Sequence, residues 1–183
     1  MARVEIKRKS AEEATAAGEI VSGGITLRFR DDADHDWRHV EGDADLPDGG
    51  AVVVPLARLA ETLDLNRFAA VGVRLAPADD ARALAPYLTR LALVEIGFLT
   101  FRDGRGYSAA RILRDDLKFS GEIRAVGQVL ADQLFFMVRC GFDALELDPS
   151  VREETALREL ERFQLVYQKA ADARAPVWAE RGA

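Results

Sequence analysis

From Ala51 onward the chain alternates short apolar runs with stretches of helical period, and this alternation restricts its fold more than any other feature. Val52–Pro55 (VVVP) reads as a strand and Leu56–Leu63 as a helix. Val71–Leu75 is the next strand, followed by a helix over Asp79–Leu91 that Pro86 must kink or restart. Leu93–Phe101 with Ala109–Leu117, Glu122–Val126 with Gln128–Cys140, and Ala144–Leu147 with Val151–Lys169 complete the series. Strands alternating with helices of this length predict right-handed βαβ units and a mostly parallel sheet of about five units. A closed eight-stranded barrel usually takes about 250 residues, and this chain has 183. The expected fold is therefore α/β, an open doubly wound sheet, with a partial barrel as the alternative. Residues 1–50 read as a variable, irregular, β-like segment with one strand at Ile25–Arg30, and residues 51–183 as a single α/β domain.

Several helix boundaries carry their own chemistry. Ser108 is placed to cap the third helix, with Tyr107 and Ile112 as a hydrophobic staple, and Ser150 with Glu153 to form a capping box for the last. Gly141 fits the end of the fourth helix, with Phe142 folding back on Met137. The last helix would set Leu157, Leu160, Phe163 and Tyr167 on one face. Its predecessor, VLADQLFFMVRC, is apolar nearly all round, which predicts burial on two sides or a subunit contact, with a homodimer as the expected form.

Charge and cysteine content exclude several function classes. The chain has 25 Lys and Arg against 31 Asp and Glu, a net charge of −6. Between Asp31 and Asp48 eight acids face a single Arg38. A chain so balanced has no basic face for a nucleic-acid backbone. One cysteine can form neither an internal disulfide nor the ligand set of an iron–sulfur cluster. No apolar run approaches the ~20 residues of a membrane helix. No apolar h-region follows Arg3, Lys7, Arg8 and Lys9, so a cytoplasmic protein is expected. His35 and His39 stand four apart among acids, but a metal pair of that spacing needs a helix and the region has no helical period. It reads as a solvated acidic loop, and neither metal nor cofactor is expected. Cys140 reads as a small buried hydrophobe.

The strongest chemical signal is Phe98–Arg114, FLTFRDGRGYSAARILR. A strand runs into Asp103-Gly104-Arg105-Gly106 and a helix opens beyond, so the loop lies at the carboxyl end of a parallel strand, where such sheets hold ligands. Backbone amides of the helix start, the Ser108 hydroxyl, and the Arg105 and Arg111 side chains would suit a small anion. With a helix opening at Ser108, Arg111 opposes the helix dipole at a cost of about 0.3–1 kcal/mol, a conflict that an anion or Asp103 would relieve. The competing reading is a tight turn whose glycines serve positive φ and whose arginines pair with Asp103, Asp115 or Asp116. Gly104, Gly106 and Ala109 also fit the spacing of a dinucleotide fingerprint, but the acid expected at the end of the next strand is missing from Arg124–Gln128. The chain holds neither a Ser/His/Asp set nor a phosphate-binding Walker loop.

These blocks resemble a known family. FLTFRDGRGYSAARILR followed by GEIRAVGQVLADQLFFMVRCGFDALEL is similar to the bacterial domain-of-unknown-function family numbered 934, and VVVPLARL, VGVRLAPADD and FQLVYQ extend the likeness over most of the chain. The family is described as uncharacterised. An oxidoreductase role in sulfite reduction is suggested for it, because its genes neighbour those of assimilatory sulfite and sulfate reduction. The resemblance thus implies a part in sulfur assimilation and supplies no catalytic residues. Without cofactor ligands, the chain is expected to be an accessory or oxyanion-binding partner of a sulfite or phosphosulfate reductase. The alternative is an enzyme, an oxidoreductase with a small anionic or nucleotide ligand at the Asp103–Arg111 loop.

Overall fold

The computed structural model describes residues 20–22, 25–29, 37–148, 150–172 and 174–180. Among the described residues eight strands form one sheet: β1 (Ile20–Ser22), β2 (Ile25–Phe29), β3 (Trp37–His39), β4 (Ala51–Pro55), β5 (Ala70–Leu75), β6 (Leu93–Phe98), β7 (Glu122–Gly127) and β8 (Ala144–Leu147). Their order is β1-β2-β8-β7-β6-β5-β4-β3, with β1 antiparallel to β2 and every other pair parallel. From β3 to β8 each strand lies beside its predecessor in sequence, so the order never reverses. A doubly wound sheet requires such a reversal, and the partial barrel is the arrangement found. From β3 to β8 each crossover lands on the next strand in the same direction, and crossovers of one hand keep the helical segments on one side and let the sheet curl into a half-barrel.

Strand alternation sorts residues onto the two faces. Val52, Val54, Val71, Val73, Leu75, Val94, Ile96, Phe98, Ile123, Ala125, Leu145 and Leu147 belong to the helix-side core with Leu59, Leu63, Leu84, Leu113, Leu134, Met137 and Leu160. The residues between them in sequence point to the concave side, where Val53 and Leu93 are as deeply buried. Burial on both faces explains why these strands read as continuous apolar runs rather than alternating ones.

The helical layer is shorter than its periodicity suggests. It comprises α1 (Leu59–Asp64), α2 (Arg105–Arg111), α3 (Leu134–Cys140), α4 (Glu153–Leu160) and α5 (Val177–Glu180). The Asp79–Leu91 stretch is two 3-10 turns, Ala81–Leu84 and Leu88–Arg90, divided around Pro86, which has no N–H to continue a helix. The third helix opens at Arg105 rather than beside Ser108, and continues as a π-helical turn over Ile112–Asp116. The last helix begins after Arg152 without a side-chain cap, because Ser150 instead donates its hydroxyl to Asp148, 2.6 Å away. It ends at Leu160, not at Lys169. Beyond it, Arg174 and Arg139 donate to the carbonyls of Phe163 and Gln168, acceptors that a continuing helix would have used itself. Gly141 closes α3 in the left-handed region at φ 102°, and the Phe142 amide donates to the Met137 carbonyl.

Candidate functional site

The loop after β6 is built around a single carboxylate. Asp103 accepts from the Arg105 amide at 3.1 Å, from Arg105 Nε at 2.9 Å and from Arg105 Nη2 at 2.6 Å. These hydrogen bonds hold the Asp103 carboxyl down at about 2. The backbone of the loop is tied from outside: Gln128 accepts from the Phe101 amide and Gln133 donates to the Phe101 carbonyl. Gly104 sits at φ −76°, so it does not serve positive φ. Gly106 serves close approach instead. A Cβ there would stand 2.5 Å from Phe98 Cζ and 3.1 Å from Ile96 Cγ2, so its absence lets α2 lie directly on β6.

Three of the six expected site residues meet at one cleft. Arg105, Gly106 and Ser108 line a cavity of about 360 Å³ between α2 and the loop after β5, together with Leu75, Ala76 and Ile96. The cleft opens at the carboxyl ends of β5 and β6, the end at which parallel sheets and barrels hold ligands. Asp103 flanks it and holds Arg105, while Gly104 caps the helix start. Arg111 turns away to pair with Asp115, and its place in the last turn of α2 favours a cation, so the expected conflict with the dipole is absent. Asp79 and Asp80 also line the cleft, but accept from backbone amides, Ala76 at 2.8 Å and Arg82 at 3.0 Å.

A second charged group lies on the concave face, where no site was expected. Arg74, Glu95 and Arg124 are register partners across β5, β6 and β7. Glu95 is 0% exposed and Arg124 1%. Glu95 Oε1 accepts from His39 Nε2 at 2.9 Å and lies 3.4 Å from Arg124 Nη1, while Oε2 accepts from Arg74 Nε at 2.8 Å. Glu122 accepts from Arg124 Nε at 2.8 Å. Burial alone would raise the Glu95 carboxyl, but the His39 hydrogen bond and the charges of His39, Arg74 and Arg124 outweigh it and hold it at about 2. His39 therefore stands on the edge strand β3 and not in a solvated loop; His35 lies outside the described residues. The signal for this group was a charged residue inside each of three apolar strands, in VGVRL, LVEIGF and EIRAV.

Other residues of the blocks that carry the family resemblance serve the fold. Arg114 donates to the carbonyls of Gly141, Phe119 and Gly121 and pairs with Asp143, joining α2's extension to β7 and α3. Burial pushes the Cys140 thiol up, away from reactivity. Among the described residues, no group of three or more His, Cys, Asp or Glu could hold a metal, and no helix is long and apolar enough to cross a membrane.

No curated protein matches the chain. A family profile described as "Bacterial protein of unknown function (DUF934)" matches residues 72–178, which takes in the cleft, α2, and all of β6, β7 and β8.

Proposed function

The chain belongs to that bacterial family of unknown function, and on this premise we propose that it acts in the cytoplasm as a cofactor-free accessory protein of assimilatory sulfite and sulfate reduction. In this reading it binds a small oxyanion and partners a sulfite or phosphosulfate reductase. The observation that carries the reading is the cleft at the carboxyl ends of β5 and β6, with Arg105 and Ser108 among its lining residues. Arg105 is 63% exposed and its hold on Asp103 is a surface ion pair, an interaction worth little in water, so an incoming anion can compete for it. Binding is accordingly weak, as befits a protein that passes an ion on.

Calorimetric titration with sulfate and sulfite tests this. Arg105→Ala should weaken binding by roughly ten- to a hundredfold, the effect of losing one charge-assisted hydrogen bond of about 1.5–3 kcal/mol. Asp103→Asn should strengthen binding, because it removes the carboxylate that competes for Arg105. Arg158→Ala, on an exposed position of α4, should change nothing. Absence of binding to the wild type, or equal binding by Arg105→Ala, would refute the reading. If the chain is instead an enzyme using Asp103 as acid or base, Asp103→Asn abolishes turnover while leaving the ligand bound.

A further inference from the structure

The concave face presents charged groups that the cleft on the opposite face does not use. Ion pairs this deep are costly to desolvate, and well-packed apolar residues often stabilise a core as well or better. A buried ionised group with specific charged partners in a concavity is therefore a candidate for binding or catalysis.

Hydrogen-bond accounting shows what the group lacks. Arg74 spends Nε on Glu95 Oε2 and holds Nη2 2.8 Å from the same oxygen, leaving Nη1 without an acceptor among the described residues. Arg124 Nη2 pairs with Glu122 Oε1 at 2.7 Å, yet off the direction a hydrogen bond requires, so this buried nitrogen has no hydrogen-bond partner among the described residues. His39, Arg74 and Arg124 converge on the two oxygens of one carboxylate. Among the described residues, Arg74 Nη1 and Arg124 Nη2 are the donors of this group left without an acceptor.

Space for an acceptor lies beside His39 and Arg74. A cavity of about 240 Å³ is lined by His39, Glu41, Val53, Pro55 and Arg74 at the carboxyl ends of β3, β4 and β5. Liquid water takes about 30 Å³ per molecule, so the cavity suits a ligand of only a few heavy atoms. Next to it the sheet is closed: Gly72 lets Trp37, Val53 and Leu93 pack together, since a Cβ there would stand 3.1 Å from Val53, 3.2 Å from Leu93 and 3.3 Å from Trp37.

We propose that His39 and Arg74, backed by buried Glu95 and Arg124, form a binding site for a small carboxylate or oxyanion on the concave face. Arg74 grips the anion with the outer edge of its guanidinium, and Glu95 fixes both Arg74 and the His39 ring. The site is separate from the Arg105 cleft, because Arg74 and Glu95 alternate with Leu75 and Ile96, which line the other cavity.

Imidazole resonances of the full-length protein, with the His39 signals assigned by His35→Gln, report the cavity directly. Sulfate and acetate, titrated separately, distinguish a tetrahedral oxyanion from a carboxylate. At least one should shift the His39 signals saturably in the wild type and equally in Arg105→Ala, which separates this site from the cleft. Arg74→Gln, which keeps a hydrogen bond available to Glu95, should bind at least about tenfold more weakly. If that variant fails to fold, Arg74→Lys carries the comparison and should bind severalfold more weakly. No saturable shift with either anion, or undiminished binding by the folded Arg74 variant, would overturn the proposal.

Discussion

Gly106 and Glu95 each occupy a position where one atom or one charge decides stability. Alanine is a better helix former than glycine by about 1 kcal/mol. At Gly106 that gain meets a Cβ only 2.5 Å from Phe98, a side chain 2% exposed that packs against Tyr107 and Phe142 and has nowhere to move. Overpacking typically costs about 1–3 kcal/mol, so Gly106→Ala should destabilise on balance. Urea denaturation reads this as a lower midpoint; an unchanged or higher one would show that α2 shifts freely on β6. For Glu95 the sign follows from its depressed carboxyl, about 2 folded against 4.5 ordinarily. The stability this contributes is present above about pH 4.5 and is lost as the pH falls towards 2. Glu95→Gln, less stable at neutral pH, should lose less across that window; parallel stability profiles for the two proteins would contradict the assignment. Neither position was legible beforehand for its actual role. Gly106 stood out in the sequence, but its partner Phe98 was not assigned to it. Glu95 meets His39 across 56 residues and three strand spacings, about 14 Å along the sheet, a reach that only a curled sheet makes short.

At the scale of elements, strands were far more legible than helices. Buried strands announce themselves as uninterrupted apolar runs, and β4 to β8 all fall where such runs stand. Helix limits depend on partners distant in sequence. Asp103 takes the Arg105 amide and starts α2 early, and Arg174 and Arg139 take carbonyls beyond α4 and leave it short. The face drawn through Leu157, Leu160, Phe163 and Tyr167 consequently splits: Leu160 is buried, whereas Phe163 is 43% and Tyr167 76% exposed. The all-round apolar character of α3 divides in the same way. Leu134, Phe135 and Met137 are buried, while Phe136 is 55% exposed and touches the Phe135 ring that also contacts Phe163. A second copy covering this aromatic group is the expected outcome, so light scattering should return a dimer mass and Phe136→Ser a monomer. A monomer at all concentrations of the wild type would end that expectation.

For the whole molecule, the half-barrel sets two cavities on opposite faces of one sheet, both at the carboxyl ends of its strands. The sequence pattern pointed to the outer one, because a Gly-rich loop between a strand and a helix can be read locally. The competing reading, a turn whose arginines pair with Asp103, Asp115 or Asp116, named the pairings that are found: Asp103 occupies Arg105, and Arg111 is spent on Asp115. Any anion in the cleft must therefore displace a carboxylate. A crystal grown in selenate, whose anomalous scattering marks the ion, tests that exchange most directly. Anion exchange at Arg105 should give a selenium peak in the cleft within hydrogen-bonding reach of Arg105 and Ser108, with Asp103 released from the guanidinium. An empty cleft with Arg105 still on Asp103 would contradict it, and a peak at Arg74 alone would move oxyanion binding to the concave face.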